Sequence, residues 1–150
     1  MAFRKLATLA LLALLAIDSV FAGTPIPGPN YEPVKQALKN LSAVMDRLVI
    51  DIPKLTDDAG IARALDGFSM ANEDLASSLR ELLHQNPEIG QMKEPPPELA
   101  DLSKGQMHIK YDEIAHKLAE KARDHSTNSL VREAVSRFVK SAASVAASGQ

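Results

Sequence analysis

Two Glu-x-x-His pairs, Glu81 with His84 and Glu113 with His116, place a carboxylate and an imidazole one helical turn apart. Helical bundles that hold paired metal ions use that spacing. Met45, Met70 and Met107 add soft sulfur donors, and His108 beside Met107 completes a set suited in principle to copper. Direction argues against each arrangement. His84 follows Leu82 by two residues and His116 follows Ile114 by two, so each imidazole points about 200° away from the apolar seam of its helix, towards solvent. Met107 and His108 are adjacent and diverge by about 100°, while His108 and His116, eight apart, diverge by about 80° and miss the i, i+4 relation of a helical metal pair. His84 suits the carbonyl end of a helix, and His125, in a polar turn, is expected to be solvated. No metal site is therefore expected.

Catalytic groupings are equally hard to assemble. Asp57-Asp58, Glu73-Asp74 and Asp112-Glu113 read as helix-start charges and solvated faces. No Ser/His/Asp grouping is recognisable, and no glycine-rich loop is present to cradle a phosphate. Gly60, Gly67 and Gly105 stand singly inside helical stretches, where each costs up to about 1 kcal/mol against alanine. The expectation is a protein that is not an enzyme.

The elements that carry these residues follow from composition and proline placement. Arg4 and Lys5, the apolar run Leu6 to Ile17 and the small-residue end Val20-Phe21-Ala22 read as a signal peptide over residues 1–22, implying a periplasmic or secreted protein. Cleavage there would leave residues 23–150, one domain of 128 residues, with 15 basic and 18 acidic side chains once Arg4, Lys5 and Asp18 are removed from 17 and 19. That balance of −3 predicts no nucleic-acid partner, and no later stretch reaches the roughly 20 apolar residues of a membrane span. Cysteine is absent, so disulfides, thiolate zinc sites and thioether-linked cofactors are excluded. With 4% aromatic residues and no tryptophan, the core must be aliphatic, which suits helix-on-helix packing.

Proline inside a helix costs about 3 kcal/mol, so the nine prolines divide the chain. Residues 23–30 form an extended leader. Helix one, Tyr31 to Ile52, carries a seam of Val34, Leu38, Leu41, Met45, Leu48 and Ile52. Helix two, Asp57 to His84, with Thr56 as N-cap, repeats it with Ile61, Leu65, Phe68, Leu75, Leu79 and Leu82, and Asn72 is the single polar member, read as a hydrogen-bonded core group that helps fix register. Helix three, Glu98 to Arg123, presents Met107, Tyr111, Ile114, Leu118 and Ala122, with Leu102 and Ile109 on a second stripe. The polar run Asp124 to Ser129 breaks the chain before helix four, Ser129 to Ala147, whose seam is Val131, Val135, Phe138, Ala142 and Val145. Together they predict an all-α, antiparallel four-helix bundle of up-down-up-down order. The link Gln85 to Pro97, with Pro95-Pro96-Pro97, reads as a stiff crossover or a functional loop.

A secretory signal, a four-helix bundle, Met45 in the first seam and a proline-rich second loop leading into Glu98-Leu99 resemble the bacterial cytochrome family of cytochrome b562 and the class II cytochromes c, the cytochrome c′ and c556 type. The resemblance spans nearly all of residues 23–150 and rests on pattern. It places the family's Cys-x-x-Cys-His at the end of helix four, where this chain has Ala142, Val145 and Ala146 in the positions of the two cysteines and the histidine. Met45 matches the family's sulfur ligand, yet helix four holds no histidine to oppose it. The resemblance implies a cytochrome-type bundle without covalent haem, in which Met45, Phe68, Met107 and Ala142 line the ancestral haem-type cavity. Such a protein would bind or support rather than catalyse, with no cofactor. Its partners are unspecified: a small hydrophobic ligand if that cavity is open, or a second copy through Leu102 and Ile109 if it is filled. The alternative is a periplasmic electron carrier with non-covalent haem b on Met45 and a helix-three histidine.

Overall fold

The structure, a computed structural model, describes residues 28–92, 96, 97, 99 and 106–148. Four long helices account for most of them: α1 (Glu32–Asp51), α2 (Asp58–Gln85), α3 (Gln106–Asp124) and α4 (Ser129–Ser148). Short 3₁₀ turns follow α1 at Ile52–Lys54 and α2 at Ile89–Gln91. The chain is an all-α four-helix bundle, and no strand occurs among the described residues. The proposed signal segment, most of the leader, Leu102 and Gly105 lie outside the described residues, as do Glu98 and residues 100–101 and 103–104 of the expected third helix.

Each helix begins and ends for a local reason. Asn30 Oδ1 accepts the Glu32 N–H at 3.1 Å, and Pro33 occupies the first turn of α1, where no amide proton is needed. Pro53 then prevents α1 from continuing, and the chain tightens into its 3₁₀ turn. Asp57, rather than Thr56, caps α2: its backbone is extended and its Oδ1 accepts the Gly60 N–H at 2.8 Å. A Cβ at Gly60 would lie 3.3 Å from Asp57 Oδ2 and 3.4 Å from Leu55 Cδ2, so the glycine lets cap and preceding loop fold closely over this turn. At the other end, Leu82 O accepts from both the backbone N–H and the side-chain amide of Asn86, immediately before Pro87. Asn128 Oδ1 accepts the Leu130 N–H at 2.9 Å at the start of α4. The described parts of the second link lie against the bundle. Ile89 packs against the core, Pro96 is buried, and Leu99 is buried with its N–H bonded to Pro96 O at 2.8 Å.

The large apolar residues predicted for the seams of α1 and α2 are all buried, as are Tyr111, Ile114, Leu118 and Ala122 of α3 and Val131, Phe138, Ala142 and Val145 of α4. Met107 and Val135 are half-buried at the edge of the core, and Ile109 is 60% exposed. A second pattern lies between these rows. Ala62, Ser69 and Ala76 on α2, and Ala134, Ser141 and Ser148 on α4, recur every seven residues and are all buried. Such small side chains let two backbones come together, and α2 and α4 are the most closely approached pair. They run parallel, since their cross-links climb both helices in step: Asp58 with Asn128, Asp66 with Arg137, Asn72 with Ser141, and Ala76 O with Ser148 Oγ. Lys110 with Asp46, and Lys121 Nζ with Leu55 O, relate α3 to α1 in the same sense. The backbone of α3 stands furthest from its neighbours, and the bulk of Tyr111, Ile114 and Leu118 bridges the gap.

At one pole the ends of α1 and α3 meet the starts of α2 and α4. Asp58 joins the start of α2 to the turn between α3 and α4: its Oδ1 meets His125 Nδ1 at 2.5 Å, and its Oδ2 accepts from Asn128 Nδ2 at 2.5 Å. His125 is thus not simply solvated, because the turn that carries it folds over the first turn of α2.

The close α2/α4 seam makes a direct prediction. Ala134→Leu should destabilise the bundle by about 1–3 kcal/mol through overpacking, whereas Ala147→Leu on the exposed side of α4 should stay within about 0.5 kcal/mol. Urea denaturation compares the two, and equal midpoints would contradict the close packing.

Candidate functional site

The four residues expected to line a haem-type cavity meet different fates. Met45 and Phe68 are wholly inaccessible and belong to one continuous core. Met107 packs against the margin of that core, and Ala142 is buried on the α4 side outside the same cluster. Val145 faces inward with Ala142, as the three-residue spacing requires, and Ala146 is half-buried.

The ring of Phe68 lies between those of Tyr111 and Phe138, with centroids 4.8 Å and 5.1 Å away, so α2, α3 and α4 meet through an aromatic trio. One turn further along α2, the Asn72 amide donates to Tyr111 Oη at 2.9 Å and to Ser141 Oγ at 3.3 Å, and Ser141 Oγ donates to Phe138 O at 2.8 Å. Asn72 Oδ1 has no partner. Turning the amide over would offer its oxygen to Tyr111 and strand its nitrogen instead, so either orientation leaves one buried polar group unmatched, at about 1–3 kcal/mol. Burial pushes the Tyr111 phenol well above its ordinary value of 10.0, against the lowering effect of the Asn72 bond, so the tyrosine stays a neutral hydroxyl.

No histidine is buried among the described residues: His108 and His125 are half-buried, and His84 and His116 are exposed. His116 Nε2 lies 3.4 Å from Glu120 on the solvent face, and Glu113 of the second Glu-x-x-His pair is bound to Lys117 at 2.6 Å. Glu81 of the first pair accepts from Gln85. Met45 is wholly inaccessible, whereas His108 and His116 of α3 are half-buried and exposed, respectively. No group of three His, Asp or Glu side chains placed to hold a metal ion occurs among the described residues. Asp112, next to Tyr111, has one buried carboxylate oxygen without a partner, and desolvation raises its pKa above 3.8, opposed by the charge of His108.

Open space lies elsewhere. A cleft of about 240 Å³ is lined by Ala119, Ala122 and Arg123 of α3, by Ser126 in the turn, and by Val131, Arg132 and Val135 of α4. Sequence alone does not single these residues out, because Ala122 and Val131 read as ordinary seam members, and only the meeting of the two helix ends sets them around a hollow.

Compared with models of known protein families, with curated proteins and with solved structures, the chain matches none.

Two outcomes follow from the interior. Asn72→Leu, with the same branching at Cγ, should destabilise the fold by about 1–3 kcal/mol by stranding the Tyr111 hydroxyl, and adding Tyr111→Phe should recover part of that loss. A double-mutant cycle in urea that shows simple additivity would refute the coupling. A carboxyl with a raised folded-state pKa binds its proton more tightly folded than unfolded, so its contribution falls as pH rises through that range. Asp112→Asn should therefore raise the melting temperature at pH 7, and the gain should vanish below pH 3.8. A pH-independent difference would place its origin elsewhere.

Proposed function

We propose that this chain is an exported, non-enzymatic binding or structural protein of the periplasm or secreted fraction, built as a four-helix bundle that resembles the cytochrome c′/b562 type without covalent haem. The observation that carries the reading is where space is closed and where it is open. Met45, Phe68 and Asn72 are sealed in the interior behind an aromatic trio, while a solvent-connected hollow with an apolar floor lies at the α3/α4 end. A protein of this kind works by holding something against a rigid frame, and a cleft with an apolar floor and few polar groups suits a small hydrophobic or amphipathic ligand. Export is supported by the charged, apolar and small-residue regions in residues 1–22. The described residues contain no helix long and apolar enough to cross a membrane. A structural role through self-association would use the exposed face of α3, where Ile109 stands 60% exposed.

The reading is tested by titrating the purified protein with haemin, with copper and with octanol, octylamine and octanoate. Haemin should keep its free spectrum, copper should leave the melting temperature unchanged, and at least one of the eight-carbon probes should raise it. A Soret band of ligated haem would replace the reading with the electron-carrier alternative, and silence from every probe would remove ligand binding and leave the structural role.

A further inference from the structure

We infer that the α3/α4 cleft is a binding site for a small amphipathic carboxylate, its apolar tail in the hollow and its carboxylate on Arg123 and Arg132. The inference rests on the reading of the chain as a binding protein and names the ligand class of that cleft. The lining changes character with depth. Ala122 and Val131 at the bottom are 5% and 1% exposed, and Ala119 and Val135 above them are half-buried. Arg123, Ser126 and Arg132 are exposed residues and supply all the polarity. The gradient runs from a dry aliphatic floor to a charged, wet rim, matching a molecule with one apolar end and one ionic end.

The sign of the charge is equally specific. The whole chain carries 19 acidic against 17 basic side chains, yet the cleft is lined by two arginines and no carboxylate. Arg132 has no ion pair among the described residues, unlike Arg137 one helical turn and more along α4, which is engaged by Asp66 and Glu133. Arg123 has only a loose contact of 3.8 Å with its neighbour Asp124, both side chains being more than two-thirds exposed, so it is readily redirected. Guanidinium groups bind carboxylates through paired parallel N–H donors, and the Ser126 hydroxyl is a further donor on the same rim. A cation would meet repulsion here, and a fully apolar molecule would leave the arginines without use. An apolar hollow of about 150 Å³ suffices for a benzene ring. The 240 Å³ present accommodates a ring or short acyl chain and leaves its polar end at the mouth.

The test follows amide chemical shifts of the full chain during titration with octanoate, octylamine, octanol and acetate. Octanoate should shift the amides of Ala119, Ala122, Val131 and Val135, while octylamine and acetate should bind at least about tenfold more weakly, the first for want of the right charge and the second for want of a tail. Arg132→Glu should lower octanoate affinity by about tenfold or more, and Arg132→Lys by less, because charge is kept while the planar fork is lost. Ala119→Trp should fill the hollow and abolish binding, with an unchanged helical circular dichroism spectrum showing that the fold survives. Octanoate binding that ignores both Arg132→Glu and Ala119→Trp overturns the site. Preferential binding of octanol or octylamine overturns the ligand class and leaves the binding-protein reading standing, whereas no binding by any of the probes defeats both.

Discussion

A single amide, Asn72, ties three of the four helices to one another. Its side chain reaches Tyr111 on α3 and Ser141 on α4 at once, from a position with no access to water. Both bonds form only when α3 and α4 stand at one height and one rotation against α2, because a shift of one residue along either helix turns its partner about 100° away. Apolar contacts alone tolerate such slips, since one leucine replaces another at similar energy, and a buried amide does not. The unmatched carbonyl oxygen is the cost of that choice. The bundle accepts about 1–3 kcal/mol of desolvation in exchange for a unique register.

That register depends in turn on how near α2 and α4 can come. Ser141 is within reach of Asn72 because it belongs to the small-residue row facing Ala62, Ser69 and Ala76, and larger side chains there would hold the helices apart. The consequence is an uneven bundle, with one tight parallel pair at its centre and α3 standing off behind the bulk of Tyr111, Ile114 and Leu118. Phe68 occupies the space that α3 leaves, tilted against Tyr111 and stacked on Phe138. The same uneven packing opens the hollow near the pole, where Ala119 and Ala122 of α3 face Val131 and Val135 of α4 without enough bulk to fill the gap. A tight seam on one side and a hollow on another are thus two results of one arrangement.

The apolar rows are legible in the sequence because leucine, isoleucine, valine and phenylalanine at spacings of three and four form a continuous stripe only on a helix; all four helices follow, as does the burial of Met45, Phe68 and Ala142. Asn72 is visible as the one polar residue in its row, but its partners are not, since Tyr111 and Ser141 lie 39 and 69 residues away. The small-residue rows are hidden for a different reason. Alanine and serine are ordinary helix residues on any face, and only a facing row with the same period gives them meaning. His125 reads as solvated in the sequence because its partner, Asp58, is brought to it by the meeting of helix ends and by nothing local.

Met45, Ala142 and Val145, where the sequence resemblance would set a haem, are all buried. Ala142 and Val145 face inward with the three-residue spacing of one helical face, and Met45 lies in the α1 seam. Three aromatic rings and a hydrogen-bonded amide between α2, α3 and α4 supply packing contacts of their own at the centre. The cleft among the described residues lies near the helix ends, where Ala119 and Ala122 of α3 and Val131 and Val135 of α4 leave room. On the proposed reading, the two arginines at the rim of that cleft, Arg123 and Arg132, would select the charge of what is bound.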